Sequence, residues 1–170
     1  MASVDDDSLA TWRAFLTAHA LVTRRISRDL ADAGLPDLSW YDLLWALYRQ
    51  PQRRLRVNEL AREVVLSPTA TSRFIDRVEA AGRVRREPDP ADRRALQIVI
   101  TDSGVELLRQ MWPVYAQGIN EHFAGQLGGS TARVRAVLER VAASARDDRN
   151  DPRAQSSRAA RPPTPFVEPG

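Results

Sequence analysis

Two groups of side chains in the middle of the chain have the chemistry to bind nucleic acid. The first group combines short hydroxyl side chains with one guanidinium: Ser67, Thr69, Ser72 and Arg73. Such side chains can reach the edges of base pairs when a helix presents them to the major groove. An ordinary solvated helix face has a similar composition. The hypothesis of DNA contact therefore depends on the sequence around this group.

The second group is a charged run within a segment rich in turn-forming residues: Asp92, Arg93 and Arg94. An arginine at the tip of a hairpin can enter a narrow minor groove, where the potential is most negative. Arg86 joins the candidate DNA contacts, whereas Glu87 and Asp89 would oppose binding unless they pair within the protein. The alternative is a flexible charged loop whose ion pairs contribute little.

Local signals predict the helix and the hairpin that would hold these groups. Ser67 followed by proline is a helix-start signal, and Gly82 can end that helix in a left-handed conformation. The helix has one apolar face: Phe74, Ile75, Val78 and Ala81. Residues 84–87 and 96–100 then alternate as two short strands joined by the charged run.

Further elements surround this unit. Residues 55–57 predict a third strand, and Asn58 caps a helix that leads to the turn before Ser67. The resulting arrangement is a winged helix-turn-helix with a small antiparallel β-wing in a mainly α chain. Its DNA-binding lobe would span about residues 55–101.

Longer helices flank the lobe. The first is predicted over about 8–33, starting at a capping Ser8 after three aspartates and ending at Gly34. A second begins at Ser39, with Asp42 as a capping-box variant. After the hairpin, Thr101 caps a helix, and a last one restarts at Ser130 within about 102–146.

The first helix carries an apolar stripe that is longer than a small winged lobe needs for its own packing. Its members recur at helical spacing: Leu9, Trp12, Leu16, His19, Val22, Ile26 and Leu30. Together with the C-terminal helices, this stripe predicts a dimer interface, so the flanking helices are interpreted as dimerisation helices.

These motifs resemble those of the MarR (multiple-antibiotic-resistance regulator) transcription factors. The resemblance rests on the Ser67 helix start, the Gly82-Arg83-Val84-x-Arg86 exit, the Asp92–Arg94 run and the closing Ile100-Thr101-x-x-Gly104. It extends over roughly residues 8–146 in element order, but the specific motifs lie near the wing. It implies a homodimeric, ligand-responsive regulator of a palindromic operator in double-stranded DNA. It also implies that Arg94 inserts into the minor groove and that Asp92 orients the wing through a salt bridge.

The same resemblance implies an effector pocket near the first, second and fifth helices. The sequence offers ring faces and two charged or polar groups there: Trp12, Phe15, Trp40, Arg13 and His19. Such a set would suit a small aromatic carboxylate or phenol, through stacking and charge pairing. The alternative is that the aromatic residues belong to the core and that the histidine has no ligand role.

Composition limits the other possibilities. The chain has 170 residues, no cysteine and two histidines, and no catalytic or glycine-rich phosphate-binding motif, so neither an enzyme, a metal site nor a cofactor is expected. No signal peptide or membrane-spanning run is apparent, which predicts a cytoplasmic protein. We expect one domain over 1–147 and a disordered tail over 148–170.

The positive charge is concentrated in the predicted winged lobe. Residues 49–94 hold 12 arginines against 7 acidic residues, an excess of +5, whereas the whole chain carries +3. This distribution favours a DNA-binding protein. Together with the resemblance, which implies a repressor or an activator, it leads us to expect a transcriptional regulator that acts as a repressor. The alternative is a winged helix that serves only as a protein-interaction module, although that function would call for apolar anchors on the exposed face.

Overall fold

The computed structural model describes residues 4–64, 68–90, 92 and 95–146. In chain order, its helices and strands are α1 (Asp6–Asp32), α2 (Leu38–Tyr48), β1 (Arg54–Arg56), α3 (Val57–Glu63), α4 (Pro68–Ala80), β2 (Val84–Pro88), β3 (Leu96–Ile100), α5 (Asp102–His122), a short 3₁₀ helix (Ala124–Leu127) and α6 (Thr131–Arg146). The predicted class, a mainly helical chain with a small antiparallel wing, is confirmed. The expected tail and the predicted cap Ser67 lie outside the described residues.

The sheet has three antiparallel strands in the order β1-β3-β2. The hairpin pairs Val84 with Ile100 at one end and Pro88 with Leu96 at the other. Strand β1 pairs along the opposite edge of β3, with Arg56 opposite Gln97. The third strand therefore completes the wing on the side away from β2.

The core of the winged lobe forms where α2, α3 and α4 pack with the sheet. Its largest fully buried side chains are mostly leucine, isoleucine and valine: Leu43, Leu44, Leu47, Leu60, Ile75, Val78, Val84 and Ile98. Buried Leu108 and Met111 belong to α5, and Ile26 and Leu30 to the C-terminal half of α1. Burial of these side chains supplies most of the driving force for folding.

The contacts divide the chain into two compact units, Met1–Gly118 and Ile119–Gly170. The first unit contains the winged lobe, and the second contains the 3₁₀ helix and α6. No described helix has the length and apolar character needed to cross a membrane.

Three predicted helix caps were wrong, although the helices themselves were found. Asp5, not Ser8, caps α1, since the backbone N–H of Ser8 donates to the Asp5 carboxylate at 2.8 Å. Asp37, not Ser39, caps α2 in the same way. In both cases the serine lies inside the first turn, where it donates to an aspartate that precedes it.

The third wrong cap concerns α3. Asn58 lies inside the helix, which begins at Val57, and the carboxylate of Glu59 accepts the backbone N–H of Arg56 at 2.8 Å. Thr101 does cap α5, because its hydroxyl accepts the N–H of Gly104 at 3.1 Å. Ala81 was expected in the core, but it follows the end of α4 and is exposed.

Candidate nucleic-acid interface

Helix α4 separates a buried face from an exposed polar face. Phe74, Ile75 and Val78 point into the core, as their spacing predicts. Ser72 and Arg73 are exposed on the other side. The hydrogen bond from the N–H of Arg83 to the Val78 carbonyl, with a left-handed Gly82 between them (φ 71°), ends the helix and starts the wing. The helix thus presents polar groups to solvent immediately before the wing.

The wing narrows towards a connection that is closed by backbone hydrogen bonds. The N–H of Asp89 donates to the carbonyl of Ala95 at 3.0 Å, and the N–H of Ala95 donates to the carbonyl of Asp92 at 2.9 Å. Arg93 and Arg94 lie outside the described residues, so their proposed contacts stay predictions.

The end of the wing next to this connection is held by an ion pair that residue spacing did not predict. Asp89 is buried, with 2% of its surface exposed, and its carboxylate accepts a hydrogen bond from Nε of Arg56 at 2.6 Å. This hydrogen bond is the main cause that raises the pKa of Arg56, with Glu59 and Asp92 adding smaller effects. A wing-orienting salt bridge was assigned to Asp92. Asp89 makes such a contact, and the role of Asp92 stays a prediction.

A second set of ion pairs crosses the sheet. Glu87 contacts Arg85 at 2.6 Å within β2 and Arg54 of β1 at 3.5 Å. Glu87 and Asp89 are therefore both paired inside the protein. Because both carboxylates are paired with arginines, these two residues do not oppose the binding of a polyanion.

Arg86 faces α4. Its backbone N–H donates to Oε1 of Glu79 at 2.8 Å, its Nη2 donates to Oδ1 of Asp76 at 2.6 Å, and its Nη1 pairs with Glu79. Partial burial lowers the pKa of Arg86, but hydrogen bonding to Asp76 and the charge of Glu79 outweigh burial and raise it overall. Its direct contact with DNA stays a prediction.

Two exposed arginines were overlooked as candidate contacts. Arg62 lies on α3, and Arg77 lies on α4 four residues after Arg73, with its guanidinium 5.1 Å from the centre of the Phe74 ring. Helical spacing was the available signal for Arg77, because positions i and i+4 share one face. For Arg62 the signal was a basic residue late in the helix that precedes α4.

Comparisons with known proteins agree with this geometry. A sequence profile of the MarR family matches residues 33–95, from the end of α1 to the end of the wing connection. The crystal structure of AbsC, a MarR family regulator of Streptomyces coelicolor, is 29% identical with a TM-score of 0.77, and the match covers 86% of this chain and 99% of AbsC. The chain resembles MarR family regulators in both sequence and fold.

Two further relatives extend the comparison. The MarR family regulator Sco3205 of Streptomyces coelicolor, whose crystal structure is a complex with DNA, is 28% identical with a TM-score of 0.78 over 89% of this chain and 96% of Sco3205. YkoM of Bacillus subtilis, named as an HTH-type transcriptional regulator, is 28% identical over 67% of this chain and 72% of its own length. Both of these relatives are transcriptional regulators, and one of them was crystallised with DNA.

The residues predicted for the effector pocket fall into two groups. On α1, the centre of the Phe15 ring lies 5.9 Å from the centre of the Trp12 ring and 6.4 Å from the centre of the His19 ring. Trp40 instead packs edge-on against Phe74 of α4, at 6.2 Å. The structure therefore brings three of the candidates together and gives Trp40 a role in packing α4. Arg13 is exposed on the same helix as the three-ring row.

A larger aromatic cluster joins α2 to α5. The buried Tyr41 ring lies 4.7 Å from Tyr115 and 6.2 Å from both Trp45 and Trp112, and Trp45 in turn stacks on Tyr48 at 5.8 Å. Burial raises the pKa of Tyr115 to about 12 and that of Tyr41 further still. Both phenols therefore stay neutral at physiological pH. Aromatic richness in α2 was visible in the sequence, but its partners on α5 were not.

Proposed function

We propose that this chain is a transcriptional repressor that binds a pseudo-palindromic operator as a homodimer and is released by a small aromatic acid or phenol. The observation that carries the DNA-binding part is the exposed Ser72–Arg73 face of α4 next to a wing in which Glu87 and Asp89 are paired with arginines. The similarity to Sco3205, crystallised with DNA, supports the same conclusion.

In this proposal the recognition helix reads bases in the major groove. Arg73 donates two hydrogen bonds to a guanine edge, and Ser72 with Thr69 contacts neighbouring bases or phosphates. Ser67 contributes at the start of the helix, Arg93 contacts a phosphate, and Arg94 enters the adjacent minor groove. Bound over a promoter, the dimer would exclude polymerase.

Selection and footprinting test this function. Full-length protein is used to select duplexes from a random pool, and the selected sequence is then footprinted upstream of the protein's own gene. We expect a two-fold repeat with half-sites about one helical turn apart and binding that weakens steeply with salt. Failure to enrich any sequence, together with salt-independent capture of a protein, would favour the protein-interaction module instead.

Exposed apolar side chains support the homodimer. In the first unit, the N-terminal half of α1 leaves four large apolar residues exposed: Leu9, Trp12, Phe15 and Leu16. In the second unit, α6 leaves Val137, Leu138 and Val141 exposed. A second copy of the chain would remove these surfaces from water, which a two-fold arrangement does for both copies at once.

The effector proposal rests on the row formed by Trp12, Phe15 and His19. Flat rings can stack on this row, and the exposed guanidinium of Arg13 can hold a carboxylate by a forked hydrogen bond. The ligand would favour a dimer whose recognition helices no longer match successive major grooves, so operator affinity falls.

Titration of benzoate and of phenol into the protein–operator complex tests the effector class, with Arg13→Ala and His19→Ala alongside wild type. Arg24→Ala removes an exposed arginine elsewhere on α1 and serves as the matched control. We expect release at micromolar to millimolar ligand, weakened in the first two variants only. An unchanged response in both variants would move the pocket to another part of the protein.

A further inference from the structure

The interaction of Arg86 with α4 has the geometry of a structural clamp. We propose that Arg86 positions the recognition helix against the first strand of the wing and neutralises Asp76 there, and that it does not contact DNA. This inference rests on the proposed DNA-binding function, because it assigns a role within the same interface. It also replaces the expectation that Arg86 is one of the DNA contacts.

Three hydrogen bonds carry the clamp, and they join two elements that meet the DNA in different grooves. Glu79 accepts the backbone N–H of Arg86 at 2.8 Å and also pairs with Nη1. The other terminal nitrogen, Nη2, donates to Asp76 at 2.6 Å. One arginine is thereby bound to two carboxylates that lie three residues apart on α4, which fixes the rotation of the helix relative to β2.

The position of Asp76 explains why its charge matters. Asp76 follows Ser72 by four residues and Arg73 by three, so it borders the face that would approach DNA. Its side chain is 62% exposed. An unpaired carboxylate at this position would repel phosphates, and the guanidinium of Arg86 cancels that charge.

Arg86 is also poorly placed to serve as a phosphate contact. Its side chain is only 25% exposed, and both terminal nitrogens already donate to carboxylates. Turning the guanidinium outward towards a phosphate would leave Glu79 and Asp76 unpaired, and the N–H groups that remain lie on a side chain that is largely covered. Arg73 makes no ion pair with another described residue and is exposed, so it is free of this cost.

The test compares Arg86 with Arg85, its neighbour on β2, whose guanidinium pairs with Glu87 rather than with α4. Arg86→Gln and Arg86→Lys are measured beside Arg85→Gln and Arg85→Lys in full-length protein. The probe is a labelled duplex selected by the wild-type protein, titrated at several NaCl concentrations, with a scrambled duplex for non-specific affinity. Melting temperature and light scattering establish that each variant folds and keeps its oligomeric state.

The lysine variant separates the two roles. Lysine keeps the charge but cannot bridge two carboxylates with a planar fork, so we expect both Arg86 variants to lose roughly tenfold or more in operator affinity. If Arg86 contacted a phosphate instead, Arg86→Lys would bind nearly as wild type does. Arg86→Gln would then lower the salt slope, which is the steepness of the fall of log binding constant with log salt concentration, by about one. We expect instead that the slope changes no more than in Arg85→Gln.

A second background keeps the proposal testable if the Arg86 variants fold poorly. In Asp76→Asn protein the carboxylate that needs neutralising is gone, so Arg86→Gln should cost clearly less operator affinity than it does in wild type. Equal losses in both backgrounds, or a salt slope lowered by about one, would overturn the clamp. Absence of any duplex selected by wild-type protein would overturn the proposed function instead.

Discussion

At the scale of single residues, pairing within the protein determines which charges remain for a polyanion. Four arginines of the sheet are held by carboxylates of the winged lobe: Arg54, Arg56, Arg85 and Arg86. Arg62 and Arg73 are exposed and make no ion pair with another described residue. The excess of arginine in this segment therefore overstates the number of cations that are free to bind DNA.

Arg73→Ala should relax sequence choice. If the guanidinium makes a bidentate contact with a base, its loss should cost about 1–3 kcal/mol on the selected operator and little on scrambled DNA. Arg94→Ala should instead weaken binding to all duplexes, because a minor-groove arginine acts mainly through its charge and the groove shape. Anisotropy titrations with both duplexes measure the difference. Equal losses on both duplexes for Arg73→Ala would contradict base reading.

The pH dependence of stability should contain a contribution from Asp42. Desolvation, with a smaller contribution from Asp37, raises the pKa of Asp42 from 3.8 to about 6, although the residue keeps an exposed surface. The folded state then binds this proton more tightly than the unfolded state. The contribution of Asp42 to the free energy of unfolding therefore falls as the pH rises from about 4 to about 6, and it stays constant above that pH.

Asp42→Asn removes this contribution. We expect the difference in melting temperature between the variant and wild type to rise in favour of the variant from pH 4 to pH 6.5. The rise should be small, because the side chain is partly hydrated. Asp37→Asn is a poor control, since that residue caps α2, so an exposed aspartate of α1, Asp32→Asn, serves instead. A difference from wild type that does not change with pH would contradict the raised pKa.

At the scale of elements, one junction ties α4 to α5. The hydroxyls of Thr101 and Ser103 both donate to the carbonyl of Gly82, at 2.7 and 2.8 Å, and Nη1 of Arg83 donates to the carbonyl of Ser103 at 3.0 Å. The end of α4, the start of β2 and the start of α5 meet here. A displacement of α5 would therefore act directly on the end of the recognition helix.

Gly104→Ala should disrupt this junction. A Cβ at Gly104 would lie 2.2 Å from the carbonyl oxygen of Arg83 and 2.8 Å from Cγ1 of Ile100, so backbone has to move. We expect a loss of about 1–3 kcal/mol or more in the free energy of unfolding. Gly118→Ala in the same helix is the matched control, because the nearest atoms to its Cβ would belong to side chains, with Cγ1 of Ile26 at 2.9 Å.

For the control we expect a smaller loss than at Gly104, because only side-chain atoms have to move and the higher helix propensity of alanine offsets part of that adjustment. Urea denaturation measures both variants. Similar losses at the two glycines would show that the junction tolerates a shift of Arg83.

At the scale of the whole molecule, apolar surface remains exposed on the N-terminal half of α1. Trp12 is 54% and Leu16 46% exposed, whereas Ile26 and Leu30 of the same helix are buried within the chain. The apolar stripe predicted for α1 therefore serves two purposes along its length. The C-terminal half of the stripe packs within the first unit. The N-terminal half is exposed, and we propose that a second copy of the chain covers it.

Leu16→Asp should disrupt the dimer. Light scattering of wild type should give twice the 19.0 kDa of one chain, and the variant should shift towards the monomer because a charge would be buried in the interface. Ala14→Asp introduces the same charge on the opposite side of the exposed part of α1 and should stay dimeric. A stable wild-type monomer at micromolar concentration would contradict the homodimer.

The sequence by itself determined the order of helices and strands, the buried face of α4 and the caps at Gly82 and Thr101. These features depend on periodicity and on residues close in the chain, so local physics is sufficient to predict them. The exposed side of α4, and with it Ser72 and Arg73, followed from the same periodicity.

Tertiary structure decided which charges neutralise each other. Arg56 and Asp89 lie 33 residues apart and meet only because β1 pairs with β3 in one register, while β2 occupies the other edge. Arg86 reaches Asp76 and Glu79 only because β2 starts beside the end of α4. Sequence spacing carries no information on such pairings, since they depend on how separate elements pack and on the burial that packing enforces.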